Sequence, residues 1–66
     1  MRVEVEQEVD GRWIAEVPEI PGAMAYGPTK EEAITKVQAL VLRTLADKIE
    51  HGEAAPGLSH VFTVAA

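Results

Sequence analysis

The first residues of the chain alternate between apolar and charged side chains. Met1, Val3 and Val5 occupy odd positions, and most of the even positions between them and beyond carry glutamate. Successive side chains of a β-strand point to opposite faces of its sheet, so residues 1–8 are predicted to form a strand with one buried and one wet face. A second run, residues 12–17, again has its apolar side chains at odd positions and predicts a second strand.

The turn between these two runs decides which residues pair. A two-residue loop of Asp10 and Gly11 would mix the buried and the wet face. A three-residue loop of Val9, Asp10 and Gly11, with Gly11 in the left-handed conformation of a bulge, pairs Val5 with Ala15 and keeps the faces separate. We therefore predict the three-residue loop.

A proline-rich corner separates the hairpin from a short third strand. Proline removes a hydrogen-bond donor from a strand ladder, so the segment Pro18 to Gly22 is predicted to be a rigid corner. Ala23 to Tyr26 is predicted as the third strand, and Gly27 and Pro28 end it.

One long helix is predicted from Lys30 to about Glu50. Thr29 and Glu32 have the spacing of a capping box, in which the Thr29 hydroxyl accepts from the Glu32 amide and the Glu32 carboxylate returns to the Thr29 amide. Gly52 is the stop signal. At 1.5 Å per residue the helix is about 30 Å long, enough to cover a sheet lengthwise. Its expected buried stripe is Ile34, Val37, Val41, Leu45 and Lys48, flanked by Ala33, Leu40 and Thr44.

Leu42 and Ile49 lie off this stripe. They either widen the core face of the helix or form a contact between copies of the chain, and the sequence leaves both interpretations open. After the helix, apolar residues alternate from Leu58 to Ala65 and predict a last strand. The predicted architecture is a single α+β domain, residues 1–66, of order β-β-β-α-β, with an antiparallel sheet covered on one face by the helix.

Composition narrows the class of partner. The chain has 66 residues and no cysteine, so disulfide staples are excluded, and a domain of this size buries too little surface to be very stable alone. We expect a homo-oligomer, a dimer or tetramer. Eleven acidic residues against six basic ones give a net charge of −5. The basic residues are scattered, so direct nucleic acid binding is not expected, whereas an acidic surface suits a basic partner.

No apolar run approaches a membrane span and no signal segment opens the chain, so we expect a cytoplasmic protein with no membrane partner. The absence of asparagine and cysteine, with two glutamines, is typical of thermophilic proteins.

Few residues here are suited to catalysis. Ser59 adjoins His60 in the predicted last strand, where neighbours point to opposite faces, so the two cannot form a nucleophile–base pair. His51 at the end of the helix suits the negative end of the helix dipole. No catalytic residue, cofactor or metal site is predicted, and the chain is not expected to be an enzyme.

The acids of the first strand share one sheet face with Glu16, and Glu4 is expected opposite Glu16. This cluster is open to three interpretations: a solvated face, a docking surface for a basic partner, or carboxylates that converge on a metal ion.

Two stretches together resemble a known family. They are DGRWIAEVPEIPGA, from Asp10 to Ala23, and YGPTKEEA, from Tyr26 to Ala33. A glycine hairpin, an aromatic residue, a P-x-(I/L)-P-G corner and a G-x-T-x-E-E-A helix start resemble the HicB-like antitoxin family, in this order and spacing. The resemblance covers roughly residues 3–50.

The resemblance implies a partial ribonuclease H-like fold and a role in type II toxin–antitoxin systems. There, HicB binds HicA, a small basic ribonuclease that cleaves mRNA, and covers its active site. Family members commonly add a C-terminal operator-binding module, which is not expected here because the sequence stops at Ala66. The first strand has no aspartate of the kind that ribonuclease H uses, so the implied fold carries no activity with it.

Binding of a basic toxin is thus the predicted function, and an orphan interaction or ligand-binding scaffold is the alternative. A small metal-dependent nuclease is a third hypothesis. The residues predicted to contact the partner are Glu4, Glu6, Glu8, Glu16, Pro18, Glu19 and Pro21.

Overall fold

Three short strands and one long helix form the part of the chain that the computed structural model describes, residues 1–55 and 61–65. The elements are β1 (Glu4–Gln7), β2 (Trp13–Glu16), β3 (Met24–Gly27) and α1 (Lys30–Glu50). The strands form one antiparallel sheet in the order β1-β2-β3, and α1 packs against it, with most of its contacts to β3 and β2. The predicted α+β architecture, a hairpin sheet under one long helix, is confirmed at this level.

The hairpin has the predicted three-residue loop. Val5 pairs with Ala15, and Gly11 has a φ of +93°. The Glu8 amide donates to the Arg12 carbonyl at 2.7 Å, and the Gly11 amide donates to the Glu8 carbonyl at 2.9 Å. The positive φ at Gly11 is what allows the extra loop residue, and with it the separation of the two sheet faces. Both strands are shorter than predicted, at four residues each.

The corner between β2 and β3 is closed by backbone hydrogen bonds. The Ile20 amide donates to the Val17 carbonyl and the Ala23 amide donates to the Ile20 carbonyl, each at 3.0 Å. Gly22 takes a φ of +81°. These turns bury Ile20, which is 2% exposed, and leave both prolines outside. The rigid corner is confirmed, and its apolar residue anchors it to the core.

Both ends of α1 lie at the predicted residues. The Glu32 amide donates to Thr29 Oγ1 at 3.2 Å, which is the first half of the capping box. The return bond from the Glu32 carboxylate is not formed among the described residues, and Glu32 is exposed instead. At the other end, the amides of Gly52 and Glu53 donate to the Ile49 and Lys48 carbonyls at 3.1 and 2.8 Å. This is a Schellman motif, with Gly52 at a φ of +69°.

The core lies between α1 and the inner face of the sheet. Among the described residues its largest fully buried side chain is Val37. The predicted helix stripe is confirmed at its centre, since Val37, Val41 and Leu45 are buried, while Ile34 and Lys48 at its edges are half-buried. No helix in residues 1–55 and 61–65 is long and apolar enough to cross a membrane. The buried residues are Ala15, Val17, Ile20, Ala23, Ala33, Val37, Val41 and Leu45.

The prediction of a last strand is wrong for residues 61–65, which form no strand. Residues 58–60 of the predicted strand, which include Ser59 and His60, lie outside the described part of the chain. Phe62 and Val64 are 64% and 91% exposed. Residues 61–65 do not join the sheet, whose strands are β1, β2 and β3. At about 13 Å the four-residue strands are much shorter than α1, at about 30 Å. The segment instead lies beside the last turns of α1, where Phe62 and Ile49 line a common groove.

Gly27 offers a direct test of how closely the helix approaches the sheet. A Cβ at Gly27 would lie 2.7 Å from the Ala33 amide nitrogen, which is backbone and cannot rotate away. We expect Gly27→Ala to lower the free energy of unfolding by about 1–3 kcal/mol through overpacking, measured by chemical denaturation.

The matched control is Gly52→Asn, at a site with open space around it and a φ that asparagine tolerates. Its cost should be smaller than that of Gly27→Ala and should come only from the backbone strain of a positive φ. Equal stability of Gly27→Ala and wild type would contradict the close approach.

Candidate partner-binding surface

The sheet face away from α1 collects the predicted acidic residues. Glu6 pairs with Ile14 across β1 and β2, and Glu4 pairs with Glu16. These four side chains and Glu8 line one shallow concavity of about 330 Å³. The structure therefore brings together all four glutamates that the alternation of β1 and β2 predicted, around an apolar side chain.

Strand β3 adds an apolar border to the same face. Tyr26 pairs with Ile14, and Met24 pairs with Glu16. Met24 and Tyr26 are 45% and 41% exposed, which is high for large apolar side chains. We call this surface the outer sheet face; it comprises Glu4, Glu6, Glu8, Ile14, Glu16, Met24 and Tyr26.

The glutamates of the outer sheet face differ in their partners. Glu4 Oε2 accepts from Arg2 Nη2 at 2.9 Å in an exposed ion pair, and Glu8 Oε1 lies 3.5 Å from the Tyr26 hydroxyl. Within residues 1–55 and 61–65, Glu6 and Glu16 form no ion pair. These two carboxylates flank Ile14 and are available to basic groups of another molecule.

The proline corner adjoins one end of this face. Glu19 Oε1 accepts a hydrogen bond from the Arg2 amide at 3.1 Å, and Arg2 is the residue paired with Glu4. Glu19 is thus linked through Arg2 to Glu4 of the outer sheet face, whereas Pro18 and Pro21 are exposed without a described contact to that face.

Sequence reasoning missed the apolar part of the surface. Ile14 has the same parity along β2 as Glu16, and this was the available signal that it points outward. Met24 and Tyr26 alternate with buried or half-buried residues in β3 in the same way. The predicted contact residues follow the charges and the proline corner, whereas strand parity also places these three side chains on the outside.

The basic residue nearest the hairpin tip is already engaged. Arg12 Nε is 2.8 Å from Asp10 Oδ2, and its guanidinium lies 4.6 Å from the centre of the Tyr26 ring. The Arg12 amide donates to Asp10 Oδ1 at 3.1 Å. This backbone hydrogen bond, and then the Arg12 side chain, lowers the pKa of Asp10 below its usual 3.8.

A second group of polar side chains lies at the end of α1, away from the sheet. Oxygen or nitrogen atoms of Asp47, His51 and Glu53 lie within 4.8 Å of one another, and all three residues are exposed. His51 Nδ1 is 2.7 Å from the Asp47 carbonyl oxygen, so the ring caps the helix, as its position predicted. We assign no metal to this group, because exposed acidic residues commonly lie together without an ion.

Comparison of the chain with protein-family models, with curated proteins and with solved structures finds no match. The geometry of the outer sheet face is therefore the basis for inferring a function, and the HicB-like resemblance is one interpretation of that surface.

The lowered pKa of Asp10 makes hairpin stability depend on pH in a defined direction. A carboxyl whose pKa is lower in the folded state stabilises that state above its unfolded pKa, and the stabilisation is lost as pH falls through the folded pKa. We expect the difference in Tm between wild type and Asp10→Asn to be largest at neutral pH and to shrink as pH falls below 3.8. A difference independent of pH would contradict the assignment.

Proposed function

We propose that the chain is a HicB-like antitoxin domain, which binds a small basic HicA-type mRNA-cleaving toxin through the outer sheet face and covers the toxin's active site. The observation that supports this most strongly is the grouping of four glutamates around Ile14, on the face of the sheet that α1 leaves uncovered. The family's partial ribonuclease H-like fold belongs to the same proposal and is supported by the order of three strands and a helix.

Charge on the outer sheet face supports a basic partner. Glu4 and Glu16 lie directly opposite each other, an arrangement that costs stability in an isolated sheet, although water screens it on an exposed face. Lysine or arginine side chains of a partner would relieve this repulsion. The overall charge of −5 adds long-range attraction, which raises the association rate more than it slows dissociation.

The apolar residues of the outer sheet face support its interpretation as a binding surface rather than as a face that only contacts water. A purely solvated sheet face would carry polar side chains at every outward position. Here Ile14, Met24 and Tyr26 occupy outward positions instead. Aromatic residues and methionine are enriched in protein interfaces relative to the rest of the surface, and Tyr26 and Met24 are of these types. Such a surface holds a partner by complementarity, and occlusion of an active site needs no catalytic group on the antitoxin.

The test is binding to any small basic protein that an adjacent gene encodes, measured by surface plasmon resonance. We expect Glu6→Lys with Glu16→Lys to raise Kd at least about tenfold, equivalent to about 1.4 kcal/mol, mainly through a slower association rate. Both carboxylates are on the outer sheet face and form no ion pair with any described residue, so the change removes no ion pair from that part of the chain.

Glu50→Lys with Glu53→Lys is the matched control. It changes the net charge equally, but at exposed positions at the end of α1. We expect an affinity close to wild type. Equal losses of affinity in both variants would show that only the total charge matters, and would reject the outer sheet face as the binding surface. A folded chain that binds no neighbouring basic protein would reject the antitoxin role and favour the orphan scaffold.

A further inference from the structure

One side of α1 carries an apolar stripe that nothing in the described chain fully covers. Leu42 is 67% exposed and Ile49 is 47% exposed, and their spacing of seven residues places them on one line along the helix. Ala39 and Ala46 lie exposed beside them. We call these four residues the side stripe. Their exposure excludes the interpretation that Leu42 and Ile49 widen the core.

The side stripe belongs to a longer apolar surface. A groove of about 300 Å³ runs from Leu42 to Met1 and Val3, next to the start of β1. A second groove, of about 180 Å³, runs from Leu42 past Ile49 to Phe62. The two grooves meet at Leu42, so the apolar surface follows the side of α1 along much of its length.

We propose that a second copy of this chain binds the side stripe, with the two α1 helices antiparallel and related by a two-fold axis near position 44. In this arrangement Leu42 of each copy faces Ala46 of the other, and Ile49 faces Ala39. Both pairs are symmetric about position 44, and each sets a large side chain against a small one, so the helices interdigitate.

Charged residues beside the stripe do not decide the orientation. Arg43 and Asp47 are exposed beside the stripe, with their midpoint at position 45, one residue from the proposed axis. Antiparallel helices set Arg43 of each copy level with position 45 of the other, which is within reach of Asp47 but also close to the second Arg43, so packing alone favours the orientation. A parallel pair would set Leu42 against Leu42 and leave the alanines facing each other, whereas the antiparallel pair sets each large side chain against a small one.

The core of a single copy is also small. Val37 is the largest fully buried side chain among the described residues, and the chain has no cysteine for a disulfide. A domain of this size buries only about 60% of its unfolded surface, so further apolar burial between copies adds needed stability. The surface is mainly apolar, as in homodimer interfaces. It is also separate from the outer sheet face, so the dimer does not depend on the proposed function.

The first experiment measures the mass of the full chain by sedimentation equilibrium over a dilution series. We expect a dimer of twice the 7.1 kDa chain mass. Leu42→Glu should raise the dimer dissociation constant at least about tenfold. Val9→Glu is the control, because Val9 is 109% exposed in the hairpin loop, away from the side stripe. A monomeric wild type, or a dimer that Leu42→Glu leaves unchanged, overturns the proposal.

The second experiment tests the antiparallel orientation by disulfide trapping, which the cysteine-free chain allows. Leu42→Cys and Ala46→Cys variants are oxidised separately and as an equal mixture. Antiparallel helices predict that the mixture forms a disulfide between the two variants in higher yield than either variant forms alone. Efficient crosslinking of Ala46→Cys to itself, without a gain in the mixture, overturns the antiparallel arrangement.

Discussion

The close approach of α1 to the sheet is the contact on which the other features depend. Gly27 ends β3 directly beneath the first turn of the helix, where a Cβ would lie 2.7 Å from the Ala33 amide nitrogen. Ala15 and Ala33 are fully buried in the same layer. Small residues at these positions let the helix backbone lie close to the strands, and this decides which sheet face becomes the core. The opposite face is thereby left to water and to partners.

Local signals in the sequence were enough to predict most of the fold. Gly11 determined the bulged hairpin, because only that loop keeps the apolar residues of β1 and β2 on one face. Thr29 and Gly52 determined the two ends of α1, since capping depends on residues within one turn. The second hydrogen bond of the capping box joins the Thr29 amide to the Glu32 carboxylate. The capping pattern alone does not predict it, because water competes for the same carboxylate.

The last strand could not be predicted in the same way. Alternating apolar residues show that a segment is able to form a strand, but strand formation also requires an edge at the right distance. Residues 61–65 follow a helix that extends well past the four-residue strands, so Phe62 lies beside α1. The outer sheet face was half predicted for a related reason. Parity identified its glutamates, and the same parity places Ile14 and Tyr26 on this face, but a contact surface predicted from charge does not include them.

The outer sheet face and the side stripe are the two proposed contact surfaces, and they differ in character. One is acidic, with Ile14 among its glutamates and an apolar border on β3, and the other is apolar with small and large residues in alternation. The most direct measurement of the central claim, that the outer sheet face binds a basic partner, is an amide chemical-shift titration of the labelled chain with a small basic protein encoded by an adjacent gene. We expect the largest shifts at Glu6, Ile14 and Glu16. Shifts confined to α1, around Leu42 and Ile49, would contradict it.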